Sequence, residues 1–92
     1  MGVSDDRALW LASKVMPHEP AVRAWLRRGA AGADVDDIIQ DAYARLVTLP
    51  EVSGIANVRA YFFRTARSAA VDRLRRQSVV AIDVVADIDR LQ

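Results

Sequence analysis

The side chains of this 92-residue chain that could do chemistry fall into two adjacent blocks. Residues 34–51 hold Asp34, Asp36, Asp37, Asp41 and Glu51 against a single base, Arg45. Residues 57–78 hold Arg59, Arg64, Arg67, Arg73, Arg75 and Arg76 against a single acid, Asp72. Neither block has the pattern of a reaction centre. There is no glycine-rich phosphate loop, no Ser/His/Asp set and no metal-ligand spacing. Cysteine is absent, which removes disulfides and thiolate metal sites, and the single His18 has no set of carboxylates arranged around it. No enzyme activity, cofactor or metal is expected. The chemistry on offer is recognition. An acidic, hydrogen-bonding face suits a basic protein partner. Arginine grips phosphate bidentately and stacks on flat rings, and 12 of the 13 basic residues are arginine. The net charge of +1 hides this division.

Those side chains need elements to hold them. Ninety-two residues make one domain, and 52% hydrophobic residues suffice for a modest core. No apolar run approaches the ~20 residues that span a bilayer. The N-terminal stretch carries Asp5 and Asp6 and has no signal-peptide pattern. No membrane insertion and a cytoplasmic location are expected. Helical periodicity dominates and strand alternation is nearly absent, so the expected fold class is all-α, a compact bundle of three to four helices.

Ser4 predicts the cap of a first helix running to about Val15, with Leu9, Trp10, Ala12 and Val15 apolar. The run Met16-Pro17-His18-Glu19-Pro20 interrupts it. A second segment, about Glu19 to Arg28, puts Val22, Trp25 and Leu26 on one face, and Gly29-Ala30-Ala31-Gly32 stops it. Asp34 is a good N-cap for a third helix, with Asp37 as a weak capping box. Val35, Ile38, Ile39, Ala42, Leu46 and Leu49 then follow the i, i+3, i+4, i+7 pattern, and the helix ends before Pro50. Residues 50–56 read as a loop, and Asn57 can cap a long helix over 57–77. On that helix Val58, Phe62, Thr65, Ala66 and Ala69 share one face. Ala60, Arg64, Arg67, Ser68, Val71 and Arg75 fall on the opposite arc. Phe63, Ala70 and Leu74 form a second apolar strip, so the helix is expected to be contacted on two sides.

Several residues have ordinary readings. Trp10, Trp25, Tyr43 and Phe62 read as core, while Tyr61 and Phe63 fit core and base stacking equally. Asp34 and Asp36 read as capping and solvation, Arg73 as structural, and His18 as a helix-start residue. The tail from Val79 fits either an extended segment or a short helix capped by Asp83.

Residues 34–49, Asp-Val-Asp-Asp-Ile-Ile-Gln-Asp-Ala-Tyr-Ala-Arg-Leu-Val-Thr-Leu, resemble region 2.2 of the extracytoplasmic-function (ECF) sigma factors. Residues 58–76, from Val-Arg-Ala-Tyr-Phe-Phe-Arg to Asp-Arg-Leu-Arg-Arg, resemble regions 2.3–2.4, and Pro17 to Arg28 fits region 2.1. The blocks stand in the family's order and at its separation, over roughly residues 17–77. Asn57–Arg76 and Val80–Asp83 most resemble the iron-uptake, ferric-citrate regulator-like subgroup.

The resemblance implies a sigma factor region 2 over residues 1–78, followed at 79–92 by the start of an inter-domain linker, with region 4 absent. It implies docking on the coiled coil of the RNA polymerase β′ subunit through Asp37, Ile38, Gln40 and Asp41. It implies that the loop 50–57, with Ser53, Gly54 and Asn57, captures a base flipped from the non-template strand of the promoter −10 element. Arg59, Tyr61, Phe63, Arg64, Arg67, Ser68, Arg75 and Arg76 would then meet that strand along the long helix. Ser68 stands where that family usually has asparagine. An anti-sigma factor is the further partner implied. The alternative is a sigma mimic that occupies an anti-sigma factor without working at promoters.

Overall fold

The computed structural model describes residues 4–29 and 34–77. Ser4 caps the first helix as expected: its Oγ accepts the Arg7 backbone N–H at 3.1 Å. Helix α1 (Asp5–Trp10) opens with Asp5 and Asp6, acids that suit the positive end of its dipole. The chain does not break before Pro17. It widens into a π turn over Leu11–Val15, closed by the Met16 N–H on the Leu11 carbonyl, and then tightens into a 3₁₀ turn over Met16–His18. Helix α2 (Glu19–Gly29) follows without a gap. The expected interruption is thus a change of helical pitch. Pro17 cannot donate an N–H and would clash inside an α-helix, but in the first turn of a new helical segment neither matters. The extra residue in the π turn lets one segment end and the next begin at that point.

Helix α3 (Val35–Val47) starts where Asp34 Oδ1 accepts the Asp37 N–H at 3.2 Å. Asp37 does not return the capping contact; its carboxylate turns to another helix, as described below. At the far end Thr48 bonds back to the Ala44 carbonyl at 2.9 Å, and Pro50 bars continuation. Helix α4 (Val58–Gln77) begins with Asn57 Oδ1 accepting the Ala60 N–H at 3.0 Å. At ~1.5 Å per residue it is about 30 Å long.

The core lies between these helices. Val15 comes from the π turn, and Val22 and Leu26 from α2. Ile38, Ile39, Ala42 and Leu46 come from α3, and Phe62, Ala66, Ala69 and Ala70 from α4. Helix α4 packs against α3 on one side and against the π turn and α2 on the other, as its two apolar strips require. The three alanines on α4 let its backbone approach its neighbours closely. Phe62 is fully enclosed, with the Tyr43 ring at 5.3 Å. Trp10, Trp25 and Tyr43 sit half-buried around this core. Truncating an enclosed ring such as Phe62 to alanine costs about 3–5 kcal/mol in comparable cores. The described residues are all-helical, as expected; the tail readings from residue 78 onward fall outside them.

Candidate functional site

The acidic residues of α3 divide by what they touch. Asp36 is mostly exposed and pairs with Arg23 of α2. Arg23 Nε donates to Glu19 Oε2 at 2.8 Å, and the other oxygen of Glu19 accepts the Tyr43 hydroxyl proton. This chain fastens α2 to α3. The Tyr43 and Arg23 hydrogen bonds hold the Glu19 carboxyl below its usual range. Burial, then the bond to Glu19, pushes the Tyr43 phenol up.

Asp37 is 55% exposed, with Arg73 of α4 at 3.5 Å. The Arg73 Nε is buried without a hydrogen-bond partner, so this arginine belongs to the packing of α4 on α3. Asp41 differs from the outward-facing side chain the resemblance suggests. It is only 25% exposed, with Arg45 at 3.3 Å and Arg76 at 3.8 Å. Arg45 continues to Asp72 at 2.9 Å. Ile38 is a clear correction: it is 0% exposed, so it seats α3 in the core and offers no docking surface. Gln40 is exposed, and its side chain makes no hydrogen bond within the described residues. Of the expected docking residues, Gln40 and parts of Asp37 and Asp41 therefore lie on the outer face of α3, where the exposed Asp36 and Ala44 flank Gln40.

The arginine-bearing face of α4 borders three depressions. An open groove of about 780 Å³ runs between α2 and α4, lined by Ala21, Ala24, Trp25, Arg28, Arg59, Ala60, Phe63, Arg64 and Arg67. Phe63 is no simple core residue there. Its ring lies 5.4 Å from Trp25, edge-on, with the Arg59 guanidinium 4.8 Å from its centroid. A smaller depression of about 240 Å³ sits where the loop enters α4, lined by Gly54, Ile55, Ala56, Asn57, Ala60, Tyr61 and Arg64. A third, of about 380 Å³, gathers Arg45, Leu46, Leu49, Tyr61, Arg64, Thr65 and Ser68. Arg64 borders all three, and Tyr61 the last two.

The structure therefore brings Gly54, Asn57, Tyr61 and Arg64 together, and gathers Arg59, Phe63, Arg64 and Arg67 on the adjoining groove. Ser53 stands apart from these depressions, its hydroxyl bonded to Glu51 at 2.9 Å. That bond holds the Glu51 carboxyl below its usual range. Arg75 and Arg76 lie in the last turn of α4, at the opposite end from the loop, and Arg76 already has Asp41 as a partner.

Sequence reasoning missed Arg7. Its Nη1 donates to the carbonyls of Leu49 at 2.7 Å, Val47 at 3.1 Å and Leu46 at 3.4 Å. The last carbonyls of a helix have no partner within it, so some donor was required there. Nothing local to α1 says that Arg7 supplies it. Arg28 and Trp25 were also missed as neighbours of the arginine face; the Arg27-Arg28 pair reads only as a complement to the dipole of α2.

Among the described residues no group of side chains could hold a metal ion, and no helix is long and apolar enough to cross a membrane. No curated protein and no solved structure matches the chain. A family model for Sigma-70 region 2 matches residues 15–79, which takes in α2, α3, the loop and α4. The chain belongs to the Sigma-70 region 2 family, the part of a transcription initiation factor that meets RNA polymerase and promoter DNA.

Proposed function

We propose that this domain is of the ECF type. It docks on the β′ coiled coil of RNA polymerase through the outer face of α3 and engages the non-template strand of the −10 element with the loop 50–57 and α4. The observation that carries this reading is the separation of the two charged faces. Gln40, Asp37 and Asp41 face one way on α3, while the arginines that no acid consumes gather at the loop end of α4. One small domain can then hold a basic protein surface and a nucleic-acid strand at once.

The depression at Gly54–Asn57 is the place for an unstacked base, with Tyr61 beside it for stacking and Arg64 for the neighbouring phosphate. Flipping a base costs a few kcal/mol, which stacking and docking on the polymerase must offset. Asn57 Oδ1 is taken by the Ala60 N–H, so its amide nitrogen is the group left to meet a base edge.

The test is strand binding by core polymerase reconstituted with this chain, on a probe whose non-template −10 segment is single-stranded. The reading predicts that the chain confers binding and that Tyr61→Ala weakens it. A chain that joins core polymerase without conferring strand affinity refutes the DNA half. A chain that binds an anti-sigma domain and not the polymerase supports the mimic instead.

A further inference from the structure

We propose that the strand surface extends off α4 onto α2, with Arg28 as a phosphate contact on the far wall of the groove floored by Trp25 and Phe63. This rests on the reading of α4 as the strand-binding helix. It departs from a path along the full length of α4 toward Arg75 and Arg76.

The distribution of committed and uncommitted charge argues for it. Arg73 and Arg76, in the last turns of α4, are paired with Asp37 and Asp41. Arg28, Arg64 and Arg67 enter no ion pair among the described residues, and Arg59 meets only the Phe63 ring. These four arginines surround one groove, and no acid lines it. A groove so charged attracts a polyanion.

Shape and side-chain type narrow the choice. Ala21, Ala24 and Ala60 keep the walls low, so a sugar-phosphate backbone can come close. Trp25 and Phe63 are half-buried rings on the groove, and rings between arginines form a stacking platform for bases. An acidic peptide would want side-chain acceptors for its backbone N–H groups, and the side chains lining the groove are donors only, the arginines and the Trp25 indole N–H.

Continuity supplies the path. Ala60 and Arg64 line both this groove and the depression at Gly54–Asn57, so they form the ridge between the two. A strand with one base in the loop depression crosses that ridge at Arg64. Its next nucleotides lie over Phe63 and Trp25, and Arg28 meets a phosphate on the opposite wall.

The experiment compares holoenzymes carrying the unaltered chain, Arg28→Ala, Arg64→Ala and Arg76→Ala. Each is titrated with a fluorescent single-stranded −10 oligonucleotide at several salt concentrations. Arg28 is exposed and its loss leaves the core intact. The proposal predicts that Arg28→Ala weakens binding several-fold and lowers the slope of log K against log salt by about 0.7, the share of one single-strand phosphate. Arg76→Ala should change the slope less. Unchanged affinity and slope for Arg28→Ala, alongside losses for Arg64→Ala, overturn the path over α2 and leave the proposed function standing. No strand binding by the unaltered holoenzyme removes both. If Arg28→Ala spares strand binding but releases an anti-sigma domain, the groove is a protein surface and the proposal fails.

Discussion

Replacing Arg7 by methionine tests the packing that sets up the site. The apolar stem is largely kept, and the guanidinium is lost. That group closes the C-terminal end of α3 by donating to three carbonyls at 2.7, 3.1 and 3.4 Å. One nitrogen carries two protons, so two of these are full bonds and the longest is a shared, weaker one. A charged donor to a partly buried acceptor contributes about 1.5–3 kcal/mol, and the helix dipole adds ~0.3–1 kcal/mol at its negative end. Water reaches part of the site and reclaims some of this, so we take about 2 kcal/mol as the expected loss. For a domain of this size each kcal/mol moves Tm by ~4–8 °C, so the midpoint should fall by about 10 °C. Thermal unfolding followed by far-ultraviolet circular dichroism measures it, with Arg27→Met as an exposed control on α2. A fall of less than about 3 °C for Arg7→Met, or an equal fall in the control, would refute the reasoning. The variant also loosens Leu49 and Pro50, where the loop departs, so strand affinity should fall more than polymerase affinity.

Three further outcomes follow from named contacts. Asp41→Arg is not a clean docking probe: it sets a third guanidinium beside Arg45 and Arg76, and should destabilise the fold by about 1 kcal/mol as well as weaken docking, read by denaturant unfolding beside binding. Glu19 stabilises the fold above its unfolded pKa, near 4.5, and that stability is lost as pH falls through its lower folded value; Glu19→Gln should flatten the acid limb of a stability-against-pH curve. Tyr43 has the opposite sign: its raised folded pKa means stability is present below pH 10 and lost above it, so Tyr43→Phe should remove that alkaline loss while costing about 1 kcal/mol at neutral pH.

Caps and stripes were legible because they are local. Ser4, Asp34 and Asn57 each accept the N–H three residues on, and the apolar stripe of α3 is the buried one. Pro17 misled because its cost depends on register: a π turn and a 3₁₀ turn placed it at a helical start, and sequence pattern does not encode that choice. Ile38 entered the docking set through the resemblance alone, although its place in the apolar stripe of α3 already marks it as core. A helix turns 100° per residue, which puts Ile38 on the opposite side of α3 from Gln40, two positions on. Asp41 looked outward from α3 alone; its second arginine comes from α4, 35 residues later. Arg7 was invisible for the same reason, since its acceptors lie 39 to 42 residues away.

The central claim is that the outer face of α3 docks on polymerase. The direct measurement is a titration of this chain against a purified β′ coiled-coil fragment, with Gln40→Arg as the control. Gln40 is exposed and its side chain makes no hydrogen bond within the described residues, so the substitution leaves the fold alone. Saturable binding that Gln40→Arg abolishes, with circular dichroism unchanged, is the predicted result. A folded chain that does not bind the fragment, or binds it equally well with arginine at position 40, contradicts the account.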